Sequence, residues 1–315
     1  MSSIFTQCAA ILMNGVPSPE ELLKALRSWD VTAVQKAAAG EEAWVASGEG
    51  FSLELGNGTA LLVDVVDRPW PDRPTSAEPT VVSAWRSGFF GPTASPGALA
   101  RARQQTWSWP QAAEVAARHR GFVRMRTAIE LPEDKVLPKE HDPAYELAAI
   151  SELATDLFSL PGAAAFFLPG GEALRSREQV EAVQKQKTGV TGPPLDLWTN
   201  LRGAAVGEHG GRTWFVADVV GMGQLRRPDP EALFVEGSED LEAVAGLLRN
   251  ACLHLFAGRG IPDNSTADDA HGKRWRAVSA TGILAPKRQV IRWTPDGAPQ
   301  PEPEVIASLQ KLLRG

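Results

Sequence analysis

Apolar positions along the chain follow two patterns: a repeat every three or four residues, which predicts helices, and short apolar runs, which predict strands. The clearest helical stripe runs from Asp142 to Leu160, where apolar side chains return every third or fourth residue. Asp142 stands where an N-cap is expected, and Pro143 follows at the first turn. A second helix is predicted over EELLKALRSW (20–29), with Ser18 as its N-cap. Further helices are predicted over ALARARQQ (98–105) and QAAEVAARHR (111–120).

Short apolar runs bounded by turn residues predict strands in the first half of the chain. The strongest case is FSLEL and TALLVDVV on either side of Gly56-Asn57-Gly58, because Asn-Gly between apolar runs favours a tight hairpin. The other predicted strands are residues 4–13, VVSAW (81–85), GFVRMRTAI (121–129) and AAAFFLP (163–169).

In the second half, TWFVADVVGMGQL (213–225) predicts a long strand, and Pro228-Asp229-Pro230 predicts a turn before the strand EALFVEG. Ser238 is the expected N-cap of a long amphipathic helix. Two strands and a last short helix are predicted over WRAVSATGI (275–283), RQVIRW (288–293) and VIASLQKLLRG (305–315).

This order of elements predicts an α+β fold with two mixed or antiparallel sheets flanked by helices. We expect an N-terminal unit over 1–170 and a C-terminal unit over 190–315. The segments ALLVDVV and WFVADVV are alike and both close on Asp-Val-Val. A pseudo-duplicated pair of units is therefore one interpretation, although strands share composition in any case.

Composition excludes several classes of function. The formal net charge is −6, which argues against a nucleic-acid partner because phosphate binding needs a basic face. Two cysteines are too few for a disulfide framework, and we expect both to be buried thiols. No apolar run is long enough for a membrane span, and the N-terminus lacks a basic leader. These features predict a cytoplasmic protein with no membrane partner.

Motifs for familiar chemistry are missing from the sequence. The five histidines show no zinc-ligand spacing, so no metal site is predicted. There is no nucleophile elbow. Gly221-Met222-Gly223 lacks the third glycine of a dinucleotide-binding turn, so we predict no cofactor.

Three groups of side chains are nevertheless candidates for binding. The first is the carboxylate-rich loop from Asp263 to Trp275, which could equally be a solvated loop whose side chains bond its own backbone. The second is an arginine pair that would share one strand face, where it could bind an acidic ligand or partner or could instead pair with the acids at 130–134. The third is a set of tryptophans that could line a pocket or pack at corners. The residues concerned are Arg124, Arg126, Trp107, Trp198, Asp268, Asp269 and His271.

Several longer stretches carry a resemblance to a known family. They include AWRSGFFGPTASPGALARARQQTWSW, HRGFVRM, ELAAISELATDLFSLPGAAAFFLPGGEAL, PPLDLWTNLR, FVADVVGMGQLRRPDPEALF and LRNACLHLFAGRGIPDNST, spread over residues 84–266. Together they resemble a bacterial family catalogued as a domain of unknown function, number 4261. The second half is also distantly similar to the suppressor-of-fused-like superfamily, and that likeness implies a role as an immunity protein.

These observations favour a non-catalytic cytoplasmic binding protein, with an immunity protein that neutralises an antibacterial toxin as the leading hypothesis. Its partner would be a protein such as a basic toxin, reached by electrostatic steering. The alternative is an enzyme or small-ligand-binding protein with an unfamiliar site in the cleft between the two units. A third interpretation is a structural or scaffolding component, for example of a secretion apparatus.

Overall fold

The computed structural model describes residues 2–35, 50–56, 58–132, 136–186, 192–298 and 304–307. The chain divides into two compact units, Met1–Trp198 (unit 1) and Thr199–Gly315 (unit 2). Each unit contains one sheet, of seven strands in unit 1 and six in unit 2. The predicted α+β fold with two mixed or antiparallel sheets is therefore confirmed.

Unit 1 joins seven strands and seven helices. Its strands are β1 (Ser2–Met13), β2 (Val31–Gln35), β3 (Gly50–Glu54), β4 (Thr59–Val66), β5 (Gly121–Leu131), β6 (Ala163–Leu168) and β7 (Ala173–Arg175). Its helices, as far as the structure describes the unit, are α1 (Pro19–Ala25), α2 (Pro79–Arg86), α3 (Ala98–Gln105), α4 (Ala112–Arg118), α5 (Pro143–Leu157), α6 (Arg177–Gln186) and α7 (Leu195–Trp198).

The sheet of unit 1 has the order β2-β3-β4-β5-β1-β6-β7, and its neighbours pair in antiparallel fashion. One face carries an apolar cluster that includes Leu12, Phe122 and Phe167 and packs against residues of α2, α3 and α4. Helix α5 contacts β1 and β5, and its buried stripe includes Leu147, Ile150 and Leu153. The two central strands, β1 and β5, are therefore the most buried part of this sheet.

Unit 2 has the sheet order β11-β12-β13-β10-β9-β8. Strands β10 and β13 pair in parallel, and the other neighbours are antiparallel. Helix α8 packs on β9 and β10. The elements are β8 (Asn200–His209), β9 (Arg212–Val220), β10 (Asp229–Val235), α8 (Leu241–Phe256), β11 (Thr266–Asp268), β12 (Arg274–Thr281) and β13 (Gln289–Pro295).

Two predicted helix starts are confirmed by their caps. Ser18 forms a capping box with Glu21, since each side chain bonds the other residue's backbone N–H. Asp142 accepts the backbone N–H groups of Ala144 and Tyr145 at the start of α5. The predicted hairpin also forms, with β3 and β4 as its strands, while Asn57 in its turn lies outside the described residues.

Several predicted elements are wrong. Residues 81–85 belong to helix α2, because Pro79 starts a helix that buries Val81 and Ala84 on one side. Helix α8 begins after Asp240, whose carboxylate accepts the Glu242 N–H, and Ser238 is not its cap.

Other differences concern unit 2. Strand β9 ends at Val220, and the segment predicted as a turn already starts β10 at Asp229. Of the predicted last helix (305–315), only residues 305–307 are described, and they are helical. No helix in the described ranges is long and apolar enough to cross a membrane.

Candidate functional site

A cavity of about 220 Å³ opens at the start of α5 in unit 1. We call it the Glu146 pocket. Its lining comes from β4, β5, the segment before α5 and the first turn of α5, namely Thr59, Ile129, Pro138, Glu140, His141, Asp142, Tyr145 and Glu146.

The cap of α5 sets the position of this lining. Because the Asp142 carboxylate holds the first N–H groups of the helix, Tyr145 and Glu146 lie in its first turn. The Tyr145 hydroxyl donates a hydrogen bond of 2.6 Å to the Leu55 carbonyl, at the end of the β3 side of the hairpin. This bond ties the rim of the pocket to the sheet.

A β-bulge in β1 supplies the polar floor. The pairing of β1 with β5 shifts register between Phe5 and Gln7, which leaves Thr6 as the extra residue. The Thr6 hydroxyl donates to Glu146 Oε1 over 2.8 Å and lies 2.9 Å from the Thr127 hydroxyl. The bulge therefore turns Thr6 towards the face of the sheet that α5 covers, where its hydroxyl donates a hydrogen bond to Glu146.

Glu146 is the central side chain of the pocket. It is 1% exposed, and its Oε2 atom is buried without a hydrogen-bond partner. Burial raises the pKa of this carboxyl above 4.5, and the hydrogen bond from Thr6 opposes that rise only in part. The carboxyl can therefore hold a proton, or accept a donor at Oε2.

His141 completes the polar group. Its Nε2 atom lies 3.1 Å from Glu146 Oε1, and both side chains are buried. The His141 charge lowers the pKa of Glu146, against the larger effect of burial. An imidazole beside a buried carboxyl is an arrangement that can share and pass on a proton.

A second polar cluster lies on the opposite face of the same sheet. Arg124 binds Asp64 through two nitrogens, with Nε–Oδ1 3.0 Å and Nη2–Oδ2 2.5 Å, and Arg126 Nη2 lies 3.3 Å from the same Oδ2. The two arginines share one face, as expected for alternate positions of a strand. Asp64, which lies directly opposite Arg124 on β4, pairs with both arginines. Of the acids at 130–134 that were predicted as their partners, those at 133 and 134 lie outside the described residues.

Arg126 is only partly compensated in this cluster. Its Nε and Nη1 atoms are buried without a hydrogen-bond partner, and the rings of Phe5 and Phe89 cover the guanidinium at 4.4 and 5.2 Å. Burial, followed by the charge of Arg124, lowers the pKa of Arg126 to about 10.

Both cysteines are buried, and neither forms a disulfide, as predicted. Cys8 lies directly opposite Arg126 in the β1–β5 pairing. Burial raises the pKa of its thiol to about 12, and the charges of Arg124 and Arg126 offset that rise only in part. Cys8 is therefore a protonated, unreactive thiol near neutral pH.

The carboxylate-rich loop of unit 2 forms the hairpin of β11 and β12. The Asp269 carboxylate accepts the N–H groups of His271 and Lys273 and the indole N–H of Trp275. Asp268 pairs with Arg274, and His271 Nε2 lies 3.0 Å from Asp240. These side chains hold the hairpin together, in line with the predicted alternative of a loop that satisfies its own backbone.

The two candidate tryptophans differ in exposure. Trp198 is buried, and its indole N–H donates to the Ser151 hydroxyl over 3.0 Å. Trp107 is 55% exposed. The lining of the Glu146 pocket contains none of the seven residues predicted from the sequence as binding candidates.

Unit 2 carries its own buried charges in a row across four strands. Arg202 lies opposite Asp218, Asp218 opposite Glu231, and Glu231 opposite Arg292. Ion pairs join Arg202 to Asp218 (2.6 Å) and Arg292 to Glu231 (2.7 Å).

Arg288 extends this row by binding both Asp218 and Asp229. Asp229 also accepts the N–H groups of Gly221 and Met222, which explains the glycine turn after β9. Three arginines therefore meet three carboxylates, and we call these six residues the ionic row.

The binding candidates predicted from the sequence include neither Glu146 nor His141. A signal was present for Glu146, because it lies four residues before Ile150 on the buried stripe of α5. A carboxylate on such a buried stripe is costly unless a hydrogen-bond or ion-pair partner compensates it, so its position could have marked a candidate site.

Within the described residues, no group of three or more His, Cys, Asp or Glu side chains could hold a metal ion. Comparisons with protein-family models, with curated proteins and with solved structures find no match to this chain. Both family resemblances therefore stay predictions.

Proposed function

We propose that the protein is a binding protein and that unit 1 takes a small polar ligand in the Glu146 pocket. The observation that carries this proposal is that Glu146 lines the cavity and that its Oε2 atom is buried without a hydrogen-bond partner. The proposal keeps the predicted class of binding protein, but its site lies outside the seven binding candidates predicted from the sequence.

The unpaired oxygen of Glu146 destabilises the ligand-free protein. A buried polar atom without a partner costs about 1–3 kcal/mol, and more when it is charged. A ligand that donates a hydrogen bond to Oε2 recovers this cost on binding. A carboxyl with a raised pKa, next to a concave pocket with an imidazole, is the combination that marks ligand sites in proteins.

The test is a ligand-observed NMR screen of cationic, neutral and anionic fragments against wild type, Glu146→Gln and Glu152→Gln. Glu152 is a matched control, since it is an exposed glutamate on the same helix. We expect fragments that bind wild type and Glu152→Gln but not Glu146→Gln. Fragments that bind all three proteins equally, or the absence of any binder, would contradict the proposal.

A second candidate function is the predicted bacterial immunity protein, which would neutralise an antibacterial toxin in the cytoplasm. The net charge of −6 supports it, because an acidic surface attracts a basic toxin. Exposed Trp107 supports it too, since tryptophan is enriched among the residues that dominate binding energy at protein interfaces.

Co-expression tests this second candidate. Each neighbouring gene product that is toxic on its own is expressed with wild type or with Trp107→Ala. Rescue of growth by wild type, weakened by Trp107→Ala, is the expected result. If no neighbouring product is toxic or binds the protein, the immunity role is wrong.

A further inference from the structure

We infer that the ligand of the Glu146 pocket is a small primary ammonium compound, whose cationic nitrogen binds the free carboxylate oxygen of Glu146. This inference rests on the proposed function, because it names the chemical class that the same pocket would take. It follows from the charge of the lining, the unpaired oxygen and the size of the cavity.

Carboxyl groups predominate in the lining as far as the structure describes it. Of its eight described residues, Glu140, Asp142 and Glu146 carry carboxyl groups, and none is a lysine or an arginine. The one titratable nitrogen group among these eight residues is that of His141, whose Nε2 lies 3.1 Å from Glu146 Oε1. A cation would therefore be attracted to this pocket, and an anion would be repelled.

The unpaired oxygen favours a cation that carries N–H groups. Glu146 Oε1 already accepts the Thr6 hydroxyl, while Oε2 has no partner. A primary ammonium group has three donors and can place one on Oε2, whereas a quaternary ammonium group has none. Hydrogen bonds between charged partners are about twice as strong as neutral ones, so this contact would dominate the binding.

The volume of the cavity limits the size of the ligand, and the apolar lining residues favour an alkyl chain. Pockets for drug-sized ligands measure roughly 300–1,000 Å³. The 220 Å³ cavity suits something smaller. Ile129, Pro138 and the ring of Tyr145 provide apolar contacts for a short alkyl chain.

Proton release follows from the same contact. An ammonium group favours the ionised form of Glu146, so its raised pKa would fall when the ligand binds. The titratable groups that line the cavity with it are Glu140, His141, Asp142 and Tyr145, while Thr6 of β1 and Thr127 of β5 are neutral. Protonation of Glu146 or of His141 would weaken cation binding, so affinity should fall as pH falls.

The experiment compares three probes of similar shape: n-butylammonium, 1-butanol and butyrate. Binding is measured by chemical-shift titration of ¹⁵N-labelled wild type, Glu146→Gln and the control Glu152→Gln. We expect n-butylammonium to bind wild type and the control at least tenfold more tightly than Glu146→Gln, and more tightly than either other probe. Calorimetry in buffers of different ionisation enthalpy should show proton release on binding.

Asp142→Asn provides a second variant, because asparagine is an equally good N-cap and the helix start is preserved. Loss of its charge should weaken n-butylammonium binding about two- to fivefold at low salt, and less at high salt.

Glu146-dependent binding of 1-butanol or butyrate in preference to n-butylammonium would overturn the cation assignment and leave the pocket as a ligand site. If no probe and no screened fragment binds in a Glu146-dependent way, both proposals are wrong.

Discussion

Both units contain a buried aspartate–arginine pair on neighbouring strands of their sheet, but they surround it differently. Asp64 and Arg124 in unit 1, and Asp218 and Arg202 in unit 2, lie directly opposite each other on neighbouring antiparallel strands. Both aspartates belong to the Asp-Val-Val segments that look alike in sequence.

In unit 2 the ionic row extends the pair until three arginines match three carboxylates. In unit 1 the single carboxylate of Asp64 pairs with two arginines. Glu146 lies on the opposite face of the sheet, and its Oε2 atom has no hydrogen-bond partner.

This difference separates two uses of buried charge. A charge removed from water costs several kcal/mol unless ion pairs and hydrogen bonds replace the water. The ionic row meets that condition with its own residues, so it holds β8, β9, β10 and β13 in register. Glu146 meets it only in part and lines a cavity, so a partner from outside can complete it.

The largest effect is expected when the ionic row is broken. Asp218→Asn removes the carboxylate shared by Arg202 and Arg288, and we expect the free energy of unfolding of unit 2 to drop by about 3–5 kcal/mol. Urea denaturation measures the loss. Asp268→Asn is the control, since its pair with Arg274 is exposed and should leave stability unchanged. Equal effects of the two changes would contradict a structural role for the row.

A smaller difference in stability is expected between two variants of the cluster that Asp64, Arg124 and Arg126 form in unit 1. Asp64→Asn removes the carboxylate that two buried guanidinium groups share and should cost about 3 kcal/mol. Arg126→Met removes the partly compensated charge at similar volume, and stability should stay within about 1 kcal/mol of wild type or rise. A large loss in Arg126→Met would show that Arg126 stabilises the sheet despite its unpaired nitrogens.

The pH dependence of stability isolates Glu146. Because its folded pKa is raised above 4.5, the protonated form stabilises the fold below pH 4.5, and this contribution is lost as pH rises through the folded pKa. Gln is a permanent mimic of the protonated acid. Glu146→Gln should therefore match wild type near pH 4.5 and become relatively more stable towards pH 8, in urea denaturation without ligand. A difference that does not change with pH would contradict the raised pKa.

The smallest effect is expected at the bulge. Thr6→Val keeps the branched shape but removes the donor to Glu146 and should cost about 1 kcal/mol. Thr32→Val is the matched control, because the Thr32 hydroxyl bonds the Ser52 carbonyl on an exposed part of the sheet. If both variants lose the same stability, the bulge has no special role in holding Glu146.

Local signals in the sequence were sufficient for much of the fold. The caps at Ser18 and Asp142 and the Asn-Gly hairpin depend on neighbouring residues, so they could be predicted from short windows. Residues 81–85 failed because a five-residue apolar run fits a strand and a helix equally well, and Pro79 was the signal that decided between them. Strand β8 has few apolar residues, and its place depends on pairing with β9.

The candidate site depends on contacts that no short window contains. Thr6 and Glu146 are 140 residues apart, and they meet only because β1 carries a bulge beside β5. The ionic row likewise joins four strands in an order set by the sheet. The one local hint was the position of Glu146 on the apolar stripe of α5. It indicated that a buried carboxyl needs a partner, but it did not show which residue supplies that partner.

The proposed role of Glu146, a buried carboxyl that binds an external cation, depends on its pKa. Its pKa can be measured directly by ¹³C NMR titration of the glutamate side-chain carboxyl signals, with Glu146→Gln to assign the resonance. We predict a pKa above 4.5 in the free protein, and a fall when n-butylammonium is added. A pKa at or below 4.5 that does not respond to n-butylammonium would contradict the account.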